Sequence, residues 1–93
     1  MAEPLLDLLA RVPTGWSAVR FAGARWGLRR TEAAGGRSVA VYAEELGGSG
    51  VVSANVYLTD AGAVLRPCEM PAERVLSFLR GWVPLEGPES RIG

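Results

Sequence analysis

The stretch that decides the fold is RWGLRRTEAAGGRSVAVYAEELGGSGVVSANVYLTDAGAVL, Arg25 to Leu65. Within it, short apolar runs alternate residue by residue with polar ones, and glycine pairs interrupt them. Directly after comes MPAERVLSFLRGW, Met70 to Trp82, a single amphipathic segment. A period of two that gives way to one near 3.6 predicts a small antiparallel sheet with one helix laid across it. One helix covers only one face of a sheet, so the other face is left open to bind something.

Working outward, the pattern predicts strands at Ser17–Phe21, Arg25–Glu32, Ser38–Leu46 and Val51–Thr59, with a short fifth at Ala63–Arg66. The connections are Ala22-Gly23, Gly35-Gly36, the GGSG run from Gly47 to Gly50, and the Asp60-Ala61-Gly62 turn signal. Pro71 suits the first helical position and Glu73 the positive end of the dipole. Ala72, Val75, Leu76, Phe78 and Leu79 then make the buried stripe, and Gly81 stops the helix. Upstream, Pro4 to Arg11 predicts two helical turns with Leu5, Leu6, Leu8 and Leu9 on one side, ended by Pro13 and Gly15. The expected class is α+β: a four- to five-stranded antiparallel sheet, a C-terminal helix on one face and a short N-terminal helix. Residues 1–15 form the N-terminal helical segment, 16–84 the sheet-plus-helix domain and 85–93 a flexible tail.

Parity assigns the faces. Val39, Val41 and Ala43 alternate with Ser38, Ala40, Tyr42 and Glu44; Val52, Ala54, Val56 and Leu58 alternate with Val51, Ser53, Asn55, Tyr57 and Thr59. On the second strand Trp26 and Leu28 oppose Arg25, Arg29 and Thr31. The apolar sets share the helix side, because a slip of one residue would expose all of them. The far face then gathers Arg25, Arg29, Ser38, Tyr42, Ser53, Asn55 and Tyr57. Exposed rings with arginine beside them suit the stacking of bases and the pairing of phosphates, and they also suit a protein seam.

Composition narrows the chemistry. Hydrophobic residues reach 48%, too many for a disordered chain. Ten positive charges, all arginine, balance ten negative ones, which argues against a purely electrostatic binder of polyanions. There is no histidine, hence no common general base and no usual metal ligand. Without histidine or a second cysteine no zinc site is expected, and no loop has calcium spacing. The glycine groups lie between strands rather than before a helix, so they read as turns and not as phosphate loops.

Glu44 and Glu45 point to opposite faces of a strand and cannot serve one substrate as acid and base; an inward Glu45 would pair with an arginine such as Arg74. Cys68, in LRPCEMP, has two readings. It is a small hydrophobe filling the junction of helix and sheet, or a thiol activated by Arg66 or the helix dipole. One cysteine allows no internal disulfide. No apolar run approaches the roughly 18 residues of a membrane span, and MAEPLLDLLARVP is too short and acidic for a signal peptide. A cytoplasmic protein with no cofactor, no metal and no membrane contact is expected.

The order of antiparallel strands followed by a helix, over about Ser17 to Trp82, resembles the Whirly and PUR group of single-strand-binding proteins. That resemblance implies nucleic acid on the face away from the helix, and a dimer; it lies in element order and carries no residue over. GGRSVAVYAEELGG (Gly35 to Gly48), VSANVYL (Val52 to Leu58) and LRPCEMPAERVLSFLRG (Leu65 to Gly81) resemble a family of small, uncharacterised bacterial domains. Some members are labelled methionine sulfoxide reductase. This chain has neither a GCFWG-type nucleophile nor zinc cysteines, so that activity is not carried over.

Together these readings predict a non-enzymatic, homodimeric recognition module. Its ligand is single-stranded nucleic acid, with Tyr42 and Tyr57 stacking and Arg25 and Arg29 on phosphates, Ser53 and Asn55 lying between. The alternatives are a thiol-dependent reductase acting through Cys68, and a homodimeric protein-interaction domain whose seam is the same face.

Overall fold

The computed structural model describes residues 4–85. In chain order its elements are α1 (Leu5–Ala10), β1 (Gly15–Phe21), β2 (Ala24–Ala33), one 3-10 turn (Ala34–Gly36), β3 (Ser38–Glu45), β4 (Val51–Thr59), β5 (Gly62–Pro67), α2 (Ala72–Gly81) and β6 (Val83–Pro84). The sheet is antiparallel and open, in the order β5-β4-β3-β2-β1-β6. Five strands form a simple meander. The sixth, a two-residue strand after α2, pairs Val83 with Arg20 and Pro84 with Val19 on the far edge. It exceeds the four or five strands expected. Two residues carry no period, so β6 exists only because α2 delivers the chain back beside β1.

Local chemistry explains the turns. Phe21 faces Ala24, so Ala22 and Gly23 alone close the first hairpin, at φ 52° and 81°. Positive φ at both central residues is the turn whose twist matches the flanking strands, and Gly23 meets it without a Cβ penalty. At the β4–β5 turn, Thr59 Oγ1 donates to Gly62 O at 2.8 Å and accepts from Ala61 N at 3.2 Å. Pro71 sits one residue earlier than expected: it is the N-cap, in extended conformation, and the helix starts at Ala72.

The alternation in β2, β3 and β4 is realised as read. Trp26, Leu28, Val39, Val41, Ala43, Val52, Ala54 and Val56 are buried on the helix side, where they meet Val75, Phe78 and Leu79 of α2. Leu8, Leu9 and Val12 complete this core and Leu5 packs against it, whereas Leu6, expected on the same side, is exposed. Ala72 is exposed and Leu76 only half-buried, which makes the stripe of α2 narrower than the sequence implies. Leu85 N donates to Ala18 O at 3.3 Å; the rest of the expected tail, 86–93, lies outside the described residues. No helix among the described residues is long and apolar enough to cross a membrane.

Two arginines on the helix side cap the helices across the fold. Arg11, just after α1, donates to Leu79 O and Trp82 O, each at 2.9 Å, and its guanidinium lies 4.7 Å from the Trp82 ring centroid. Arg30 of β2 reaches the end of α1, donating from Nη1 to Leu9 O at 2.7 Å and Val12 O at 3.1 Å. Its Nη2 pairs with Glu32 at 2.9 Å. Cations here satisfy orphan carbonyls and oppose the negative end of each dipole. Arg30→Met keeps the apolar stem and removes those donors. It is expected to cost about 2 kcal/mol, the scale of hydrogen bonds from a charged group, read as a lowered urea midpoint at unchanged slope.

Candidate functional site

Among the described residues no helix covers the second face of the sheet, and the strand register determines what stands on it. Trp16 of β1 faces Arg29 of β2, Arg29 faces Tyr42 of β3, and Tyr42 faces Ser53 of β4. These four make one row across the sheet, with neighbouring strands roughly 4.8 Å apart. Two residues along β2, Gly27 lies between Ala18 and Glu44. Two further on, Arg25 faces Arg20. Toward the opposite end of the sheet, Ala40 faces Asn55 and Asn55 faces Arg66, while Tyr57 faces Ser38 on one side and Val64 on the other.

Three rings stand exposed on this face: Trp16 at 55%, Tyr42 at 42% and Tyr57 at 41%. They divide between two depressions. One, of about 340 Å³, is lined by Trp16, Gly27, Arg29, Tyr42 and Glu44. The other, of about 580 Å³, is lined by Tyr57, Thr59, Val64, Arg66 and Pro67. The Trp16 indole lies against Gly27 so closely that a Cβ there would meet Nε1 at 2.8 Å. Gly27 is therefore the position where β2 makes room for a ring from β1.

Charge is unevenly distributed. The chain as a whole is neutral, yet by strand parity, among the described residues, this face carries Arg20, Arg25, Arg29 and Arg66 against a single carboxylate, Glu44. The contrast with the other side is sharp. Arg11, Arg30, Arg74 and Arg80 each make a hydrogen bond or an ion pair within the protein. Among the described residues no hydrogen bond or ion pair engages the guanidinium groups of the four arginines of the open face. Compared with protein-family models, curated proteins and solved structures, the chain matches none.

Of the residues that the sequence marks for binding, Arg29, Tyr42 and Ser53 share the first row. Arg25 stands beyond Gly27 at the hairpin end, and Asn55 and Tyr57 lie beside the second depression. Tyr42 and Tyr57 are on adjacent strands but four residues out of step, about 14 Å at roughly 3.4 Å per residue. They belong to different depressions. Trp16 and Arg20 escaped the sequence reading, which names Arg66 only as an activator of Cys68. Extending the alternation of Val19 and Phe21 back through β1 would have placed Trp16 and Arg20 outward, but the first strand was expected to start at Ser17.

Two expectations are corrected. Glu45 does point inward, but it does not pair with Arg74. Its Oε1 accepts from Gly50 N at 3.2 Å, inside a glycine loop that wraps the carboxylate, and Arg74 donates instead to Val51 O at 3.3 Å. Cys68 is exposed and does not fill the junction; its amide donates to Ser53 O at 2.9 Å, which continues the pairing of the edge strand β5 with β4. The folded protein is accordingly expected to release one equivalent of thionitrobenzoate from Ellman's reagent without denaturant. A thiol that reacts only after unfolding would contradict that placement. No group of three or more metal-ligating side chains occurs among the described residues.

Proposed function

We propose that the open face of the sheet binds single-stranded nucleic acid. The observation that carries this reading is the pairing of exposed rings with unengaged arginines on one surface of a neutral chain. Trp16, Tyr42 and Tyr57 offer π-faces, which every base can use. Arg20, Arg25, Arg29 and Arg66 offer planar donors to phosphate, and their guanidiniums stack beside rings. The rings border two open depressions, Trp16 and Tyr42 on one and Tyr57 on the other, which leave unpaired bases room to lie against them. A double helix would present its bases edge-on inside a groove and could not use the rings in this way. An exposed, unpaired thiol fits the reducing cytoplasm.

A homodimer seam on the same face has the rings in its favour and the charges against it. A two-fold interface sets the same patch against itself, so four arginines would face four with only two carboxylates between them. Dimerisation, if the chain forms dimers, is proposed at the sheet edges instead, and light scattering reads it directly.

Fluorescence anisotropy with a labelled oligothymidine at several salt concentrations tests the proposal. Four neutralised phosphates give a slope of log K against log[salt] near −3, from about −0.7 per contact on single strands. The Tyr42→Ala/Tyr57→Ala double variant should bind more weakly with the slope unchanged. Absence of binding at low salt, or binding indifferent to the double variant, rejects the reading.

A further inference from the structure

Arg20 and Arg25 are directly opposed in the first hairpin, with Cβ atoms about 4.5–5.5 Å apart, and like charges placed so are destabilising. Here the other cross-strand neighbour of Arg20 is Val83, and the diagonal positions on the same face are Ala18 and Gly27. Among the described residues neither guanidinium has a partner within 4.0 Å. Both side chains are exposed, so nothing buried holds them together. The pair also stands where the surface ends, since beyond it lies only the Ala22-Gly23 turn.

From this we infer that Arg20 and Arg25 form a clamp for a terminal phosphate monoester. The inference deepens the nucleic-acid reading and rests on it for the strand, although the phosphate site can be tested alone. A strand laid along β2, with a base on Trp16 in the Trp16–Tyr42 depression, runs over the indole that covers Gly27 and past the small side chain of Ala18 to the arginine pair. Gly27 is two residues from Arg25, about 7 Å at roughly 3.4 Å per residue. Past the pair no sheet remains to carry another nucleotide. Charge makes the same selection. A phosphodiester carries one negative charge, whereas a terminal monoester carries about −1.5 to −2 at neutral pH, which matches two guanidiniums. Three peripheral oxygens also give each fork its own acceptors.

The test compares one labelled oligothymidine with a 5′-phosphate, a 3′-phosphate or neither, on the wild type and on Arg20→Gln/Arg25→Gln. A second arm follows thermal unfolding of both proteins in inorganic phosphate against chloride at equal ionic strength. In the wild type one of the two phosphorylated ends should tighten binding about tenfold, equivalent to about 1.4 kcal/mol; the double variant should lose that preference. The variant should also melt higher than the wild type in chloride, because the repulsion is gone, and should gain less from phosphate. Equal binding of phosphorylated and unphosphorylated strands overturns the clamp and leaves the nucleic-acid reading standing, as does a preference that survives in the variant. Failure of every oligonucleotide overturns the strand reading. The phosphate arm then decides the clamp by itself: stabilisation equal in both proteins overturns it, and stabilisation confined to the wild type keeps it.

Discussion

Phe78→Ala is expected to lower the melting temperature by more than about 12 °C and to leave the chain close to unfolded at physiological temperature. Phe78 is fully buried, and its ring sits 4.7 Å from that of Phe21 and 5.1 Å from that of Trp26. Phe21 and Trp26 in turn meet edge-to-face at 5.8 Å. The three rings are the contact through which α2 grips the β1–β2 hairpin. Removing the central one deletes both tilted ring pairs and opens a cavity, at about 3–5 kcal/mol. A domain of this size has roughly 5–14 kcal/mol in all, at about 0.05–0.15 kcal/mol per residue. At about 4–8 °C per kcal/mol the lower bound of the loss already gives the quoted shift. Thermal and urea unfolding followed by circular dichroism measure it. A loss below about 1 kcal/mol would mean that α2 is seated on the sheet by other residues, and that the face called open here is not fixed by this helix.

The parts legible in the sequence are those that depend on short-range periodicity. Val39-Ala40-Val41-Tyr42-Ala43 permits only one phase, since the alternative buries Tyr42 and exposes both valines; the same holds for Val52 to Leu58. Hence the two phenols could be placed outward before any coordinates. The parts that stayed hidden depend on what arrives from far along the chain. Arg30 falls on the core face by parity, where an arginine is costly, and only the carbonyls at the end of α1 make that position acceptable. An inward Glu45 suggests a helix arginine as its partner, but the partner is an amide five residues on, created by the fold of a glycine loop. Cys68 misled for a different reason: free cysteine is usually buried, and a tendency of the residue type says little about one residue that continues an edge strand. Trp16 was lost through a boundary one or two residues late, which is enough to remove the most exposed ring from the candidate site.

That ring carries the second large effect. Trp16→Ala should weaken binding of single strands by roughly 5–150-fold, from about 1–3 kcal/mol per stacked base, while changing stability by less than about 0.5 kcal/mol because the side chain is mostly in water. Gly27→Ala should act in the same direction without deleting the ring, since the new Cβ would sit 2.8 Å from Nε1 and push the indole aside. Trp26 and Trp82 are buried, so acrylamide quenching of the free protein reports chiefly on Trp16, and bound oligonucleotide should reduce it. The salt dependence separates stacking from charge. Loss of Trp16 lowers affinity equally at every salt concentration and leaves the slope alone, whereas Arg29→Gln should flatten the slope by about 0.7. If Trp16→Ala flattened the slope as much as Arg29→Gln does, the indole would be positioning arginines rather than holding a base. If it changed nothing, bases would not lie in this depression, and Tyr57 beside the second one would have to carry the stacking alone.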